Sequence, residues 1–484
     1  MQKLLLTILF VVVFISVLPA QSDVADKKVW TLRECVDYAV THNLTLQRST
    51  YGVESSEIAK LQALMAMFPN LNASGNYGYN WGRSIDPATN LFVEQRIKSI
   101  NLNVSSSLLL WNGFRLFYAY KQSDVDLDAA NEDLIKARND VILNVITIYL
   151  NVVFNQELYN NADAQLSSTR QQLERTRRLS DAGSVPRSDV LNLDAQLATN
   201  EVNLIQRENA VNLSLLQLKQ ALQLPASTPM EVQVPEIDID GNLNLDKTSE
   251  EIFEIAVMAM PETKSARLKQ ESAVYGLKSA RGNLYPRLSL GGSISTIYSD
   301  ARQTFIPEGA PTYTNTTDRI GYLPSTNEPI YATDIDVPGS FEVVPYNTQF
   351  RDNLGRNVGL TLQIPIFNGL SARSGVQRAV INRELSNISY KETENQLRQS
   401  VETAYNDAVA SSKTYAATQK QVQARSEAFR MMKQRFEFGS ANFVEYQISE
   451  NDLFQAQSDL LRAKYDFIFR VKILDFYQGK PLEF

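Results

Sequence analysis

The chain has 484 residues, room for two or three ordinary domains, and carries 47 Lys and Arg against 54 Asp and Glu. That mild acidity gives no electrostatic case for nucleic acid as a partner. One Cys and one His exclude an internal disulfide and leave most thiol- or imidazole-based catalysis without its parts, so neither enzyme activity nor a cofactor is expected. Residues 1–20 read as a secretory signal peptide: Lys3, an apolar run over 4–18, then the small Ala20. A membrane anchor is the alternative, but the run is short for a span. A helix is predicted over 32–68. It carries Cys35 and His42, seven residues apart and read as structural, and Cys35 stands outside a lipidation context. Strands follow over 71–81 and 100–110, and then a helix over 114–182. The densest apolar stretch of that helix, VILNVITIYLNVVF at 141–154, is broken by Asn144, Thr147 and Asn151 and reads as buried rather than membrane-spanning. A return helix stops near 224, before Pro225, Pro229 and Pro235. A further helix spans 249–283, strands span 288–296 and 357–367, and helices span 370–438 and 442–478.

These elements repeat. TLRECVDYAV at Thr31 parallels TSEEIFEIAV at Thr248, and FPNL at Phe68 parallels YPRL at Tyr285, both at an offset of about 217 residues. The Asn-Gly pairs at Asn112 and Asn368, and the AGS and FGS turns at Ala182 and Phe438, are offset by about 256. The chain is therefore a duplicated unit, 21–246 and 247–484, and the second copy carries an insertion over about 300–351. Loops of that length are functional or mobile, and this one joins two strands on the side away from the helices. Val145, Val152, Tyr159, Leu166 and Leu173 are spaced by sevens, and their partners Val401, Ala408, Tyr415, Val422 and Phe429 are apolar too. Val190, Leu197, Leu204, Val211 and Leu218 match Tyr446, Leu453, Leu460, Phe467 and Leu474 in the same way. Sevens sustained over such lengths mean coiled-coil-like packing. Each long helix covers roughly 100 Å. It is expected to lie against two shorter ones, 114–182 beside the return helix and 249–283, and 370–438 beside 442–478 and 32–68.

The four strands alternate with period two, which separates an aliphatic face from a small, polar, uncharged one. The polar face carries Asn101, Asn103, Ser105, Ser289, Ser293, Thr361 and Gln363, as the lining of a water-filled lumen would. Each strand is about ten residues, the length of a tilted membrane-spanning strand, and Trp81, Trp111 and Phe367 stand at the ends, where an aromatic girdle belongs. A half-buried soluble sheet is the alternative for any one strand. Four strands do not close a barrel, and lipid does not tolerate open edges. Two chains would give eight strands and a filled interior; three would give twelve and an open lumen. The junctions Asn112-Gly113 and Asn368-Gly369 turn each strand into a helix, Gly taking the awkward dihedrals and Asn offering a cap.

On these residues, with LLLWNGF, PIFNGL and the turns DAGSVPRSDVLNLDAQL and EFGSANFVEYQISENDL, the whole mature chain resembles the TolC-like outer-membrane efflux protein family. The resemblance implies an α+β membrane protein of the Gram-negative outer membrane. It would be a homotrimer with a twelve-stranded β-barrel, four strands per chain, continuous with a periplasmic helical barrel. It would pass substrates from an inner-membrane pump of RND or ABC type through a periplasmic adaptor, a membrane fusion protein. The adaptor would dock on the tip turns at Gly183, Ser184, Gly439 and Ser440. Family members often carry an acidic ring at the periplasmic aperture, to which Asp189 and Glu445 correspond. The second copy departs from the DVL pattern, reading Glu445-Tyr446-Gln447, and both acids also suit a helix N-terminus. A periplasm-spanning structural or adhesive trimer without transport is the alternative. With eight Met and one His, nothing suggests a lining for soft metals.

Overall fold

A computed structural model describes residues 29–85, 90–93, 96–234 and 247–480. The predicted signal peptide and the stretch just before the second repeat lie outside the described residues. The chain divides into two units: one of residues 1–58, 124–272 and 384–484, the other of 59–123 and 273–383.

The first unit is helical. Helix α1 (Leu32–His42) opens on a capping box: Thr31 Oγ1 accepts from the Glu34 amide at 3.3 Å, and Glu34 Oε2 accepts from the Thr31 amide at 3.0 Å. Helix α5 (Ser249–Ala259) repeats it with Thr248 and Glu251. Each is followed at once by a second helix, α2 (Leu44–Met65) and α6 (Pro261–Gly282). The helices predicted over 32–68 and 249–283 are thus each two. Pro261 forces Met260 into an extended conformation, and Asn43, also extended, caps α2 by accepting from the Thr45 amide at 2.8 Å. The long helices α3 (Arg115–Asp181) and, later in the chain, Ser371–Glu437 have 67 residues each. Their return helices, α4 (Arg187–Ala221) and Phe443–Tyr477, have 35 each. The predicted offsets hold at both ends of every helix pair.

One core gathers Cys35 and Ala39 of α1, Val145, Tyr149, Val152 and Val153 of α3, and Leu218 of α4. The apolar stretch at 141–154 is therefore core. The Tyr149 hydroxyl donates to Gln233 O at 2.6 Å and Trp30 O at 3.2 Å, fastening the short parallel pair β1 (Val29–Trp30) and β6 (Glu231–Val232) over the helices. A second core joins Ile252, Phe253 and Ala256 of α5 to Leu397, Val401, Ala404 and Ala408. Helix α5 thus packs on the long helix of its own repeat. The predicted pairing of 249–283 with 114–182 belongs to α6, whose Ser265 and Lys269 both bond to Asp133 of α3.

The second unit is built on a four-stranded antiparallel sheet. Its strands are β2 (Asn70–Asn80), β5 (Ile97–Trp111), β7 (Arg287–Ser299) and β12 (Gly355–Gln363), in the order β12-β7-β5-β2. Strand β12 stops at Gln363, short of the predicted 367, because Pro365 has no amide for the ladder. Strands β3 (Ser84–Ile85) and β4 (Phe92–Val93) extend the first hairpin. The insertion holds two ribbons. Strand β8 (Gln303–Pro307) pairs with β11 (Gly339–Val343), and β9 (Thr312–Tyr322) pairs with β10 (Pro329–Asp336). Helix α7 (Tyr346–Asp352) then leads into β12. Gln349 is fully buried there, donating to Ser299 O and Val344 O at 2.8 Å each and accepting from the Ser299 amide at 3.0 Å. That amide pins the insertion to the end of β7. The remaining helices are α8 (Ser371–Glu437) and α9 (Phe443–Tyr477).

Candidate functional site: a sheet face, two junctions and two helical tips

Register decides which side chains share a face of the sheet. Asn72, Ser105 and Ser293 stand in one row, which Asn357 continues; Ser74, Asn103 and Ser295 form the next. Asn101 is opposite Asn76, Thr361 opposite Ser289, and Gln363 opposite Arg287. All seven residues predicted for the lumen therefore fall on one face. The other carries Leu102, Val104, Leu108, Ile294, Leu290 and Leu360. Tyr77, Tyr79 and Tyr298 close that second face at the insertion end, where Lys98 Nζ donates to the Tyr346 hydroxyl at 2.5 Å. At the other end Trp111 packs edge-on to Phe114, with ring centroids 4.6 Å apart. Aromatic rings thus stand at both ends of the sheet, Trp111 among them, whereas Phe367 lies beyond the end of β12.

Both junctions turn through two left-handed residues, Gly113 and Phe114 (φ +63° and +60°) and Gly369 and Leu370 (φ +60° and +63°). A non-glycine residue therefore shares the awkward dihedral at each. Asn368 Oδ1 accepts weakly from the Ala372 amide at 3.5 Å. Asn112 makes no side-chain hydrogen bond among the described residues, so its Oδ1 caps nothing and its buried Nδ2 has no partner. The two junctions also differ in surroundings. A methyl group on Gly113 would lie 2.8 Å from Tyr285 Cβ and 2.9 Å from Gly282 O, whereas one on Gly369 would meet nothing within 4 Å.

At the far ends of the long helices, Gly183 and Gly439 are left-handed (φ +74° and +72°). The amides of Ser184 and Ser440 reach back to Leu179 O and Arg435 O, each at 2.8 Å. This is the Schellman ending, in which glycine carries the left-handed residue. Leu173, Leu193 and Phe443 form a small core that joins the two tips. Pro186 stands at the N-cap of α4, and Asp189 is half-buried in the first turn of that helix. Glu445 is exposed. Asn442 Oδ1 accepts from its amide at 2.8 Å, while Asn442 Nδ2 donates to Glu445 Oε1 at 3.2 Å, so the reciprocal bond runs through the amide side chain rather than the backbone. Sequence reasoning missed Glu450. It is buried on α9 and accepts from Ser168 Oγ of α3 at 2.6 Å. Burial pushes its carboxyl above the usual range, while the Ser168 hydroxyl and Lys433 pull the other way. Its place on the buried stripe, four residues after Tyr446, was the available signal.

A sheet with one aliphatic and one polar uncharged face, with aromatics at its ends and leading through glycine turns into 67-residue helices, has the pattern of a membrane-embedded channel wall. A family model described as outer membrane efflux protein matches residues 37–223 and 256–474. The chain belongs to that family. It is 22% identical to outer membrane protein TolC of Escherichia coli over 332 residues, which cover 68% of this chain and 59% of TolC, so the match spans less than two thirds of that relative. It is 19% identical to the alkaline protease secretion protein AprF of Pseudomonas aeruginosa, over 86% of this chain and 77% of AprF. The fold is shared with the outer membrane protein VceC of Vibrio cholerae at a TM-score of 0.71 and 14% identity, covering 93% of this chain and 97% of VceC.

Proposed function

We propose that the chain is the outer-membrane channel-tunnel of a tripartite efflux or type I secretion system. It would work as a homotrimer and carry substrates passively from an inner-membrane pump and periplasmic adaptor to the exterior. One observation carries the oligomer. Every contact between the first and second repeat should occur twice in a closed ring, and one chain makes it once. Helix α6 covers α3, leaving Val125 and Ala129 at 9% and 2% exposure; their equivalents on α8, Ile381 and Leu385, stand at 57% and 55%. Strand β5 pairs with β7, but among the described residues the outer edges of their equivalents, β12 and β2, have no partner strand. Gly113 is packed, and Gly369 is open. The vacant sites fit another copy, whose α2 and β2 are the equivalents of α6 and β7.

On this reading the face with Asn101, Asn103, Ser105, Ser289, Ser293, Thr361 and Gln363 lines the lumen, and the aliphatic face meets outer-membrane lipid. The tips at Gly183, Ser184, Gly439 and Ser440 receive the adaptor, and Asp189 and Glu445 ring the aperture. The family match does not favour the non-transport stalk. The test is native mass spectrometry of protein extracted from outer membranes, followed by conductance in planar bilayers. Three chains per particle and a stable conductance are expected. A monomer, or three chains without conductance, refutes the reading.

A further inference from the structure

The cleft where the two strand-to-helix junctions meet has a composition unlike the rest of the molecule. It has a volume of about 820 Å³ and is lined by Arg115, Arg287 and Arg378 and by no carboxylate. That volume is within the range of small-molecule sites. Among the described residues none of the three guanidiniums has an ion pair, and Arg287 spends its Nε on the neutral Gln363, at 2.7 Å. The unpartnered Nδ2 of Asn112, a further donor, belongs to the same lining. So does Ser371 at the start of the 67-residue α8, where the helix dipole is positive.

The surrounding sequence shares this bias. No Asp or Glu occurs between Glu57 and Asp86, between Glu94 and Asp124, between Glu271 and Asp300, or between Asp352 and Glu384. These are the four stretches that build the sheet and its junctions, in a chain where acids outnumber bases. Arginines left unpaired at a membrane boundary also snorkel toward lipid phosphates. Register argues against that here: Arg287 and Gln363 continue the row of Ser289 and Thr361, on the polar face.

We propose that this cleft binds oxyanions, the carboxylate or phosphate groups of soluble molecules at the polar face. Planar guanidiniums match such groups with paired hydrogen bonds, which a halide does not exploit. The inference rests on the channel reading for the route by which the oxyanion arrives. In a closed ring the cleft would recur at each junction between copies, because Arg378 is the equivalent of Gln122, which packs against Gly276 of α6, and so would stand beside α2 of the next copy.

The test is calorimetric titration of the full chain in detergent with sodium pyrophosphate at constant ionic strength. Binding is expected, and Arg287→Gln and Arg378→Gln should each weaken it about tenfold or more, the scale of a lost charge-assisted hydrogen bond. Arg373→Gln, an exposed guanidinium of α8 outside the cleft, should leave it within about twofold, the scale of a screened surface charge. Circular dichroism verifies the fold of each variant. Absence of binding overturns the proposal, and so does equal weakening by Arg373→Gln. Binding of phosphatidylglycerol nanodiscs without binding of pyrophosphate also overturns it, since the cleft would then face lipid. A conducting three-chain particle that ignores pyrophosphate removes the site and leaves the channel; arginine-dependent binding by a non-conducting monomer does the reverse.

Discussion

The duplication predicts the register of an interface between copies. Within the chain, Ser105 is opposite Asn72 and Thr361 is opposite Ser289, so the two hairpins keep equivalent registers at the offsets of about 256 and 217 residues. The β5–β7 pair, with Ser105 opposite Ser293, then translates into Thr361 of β12 opposite Asn76 of the next copy's β2. Facing residues of an antiparallel pair have Cα atoms about 4.5–5.5 Å apart, within disulfide reach. Inside one chain the same residues lie on opposite edges of the sheet, three strand spacings or about 14 Å apart across it and a further eight residues apart along it, beyond that reach. The double variant Asn76→Cys, Thr361→Cys should therefore cross-link only between copies. The native thiol, Cys35, is fully buried and gives little background. After oxidation, non-reducing electrophoresis should show a ladder that stops at three chains. The pair Asn72→Cys, Thr361→Cys is off register by four residues, about 14 Å along the strand, and should stay monomeric. Equal cross-linking of both pairs, or none by the first, refutes the inferred interface. A ladder ending at two would mean an eight-stranded barrel.

Glu445→Gln keeps the acceptor for Asn442 Nδ2 and removes the charge, so block of conductance by a multivalent cation should weaken severalfold; unchanged block would remove Glu445 from the aperture. Glu450 is held above the ordinary carboxylate range by burial, so the folded state binds its proton more tightly than the unfolded chain does. Its charged form costs stability at neutral pH, and that cost disappears as pH falls from above the folded pKa to below about 4.5. Glu450→Gln should raise the melting temperature at neutral pH and flatten its rise on acidification, as read by circular dichroism. Gly113→Ala incurs about 1–2 kcal/mol for the left-handed backbone and about 1–3 kcal/mol more for the approach to Gly282 and Tyr285. Gly369→Ala incurs the first cost alone within a chain, so denaturant titration should find it the milder of the two. Removing residues 303–343 should leave assembly intact on native gels, because Val344 N already bonds Arg302 O at 3.0 Å and the gap closes easily.

Local chemistry makes most of the helical framework legible in the amino-acid order. Sevens from Val145 to Leu173 locate the buried stripe of α3, and Gly183 and Gly439 mark the tips because a left-handed ending needs glycine. Alternation in the four strands assigns their faces, since side-chain direction in a strand follows parity alone. The breaks at Asn43 and Met260 escape, although Pro261 is in view, because apolar periodicity continues across them. The ribbons β8–β11 and β9–β10 escape because their pairing is cross-strand and their faces are exposed, which leaves no alternation to read.

Sequence by itself determined the long helices, the faces of the four sheet strands and that the plan occurs twice, because propensity, parity and the heptad are local. Tertiary structure decided what each segment touches. It placed α5 on α8 and α6 on α3, buried Glu450 beneath Ser168, and drew Arg115, Arg287 and Arg378, spread over 263 residues of chain, into one cleft free of carboxylates. Such encounters depend on how helices and strands pack in space, and no spacing along the chain encodes them.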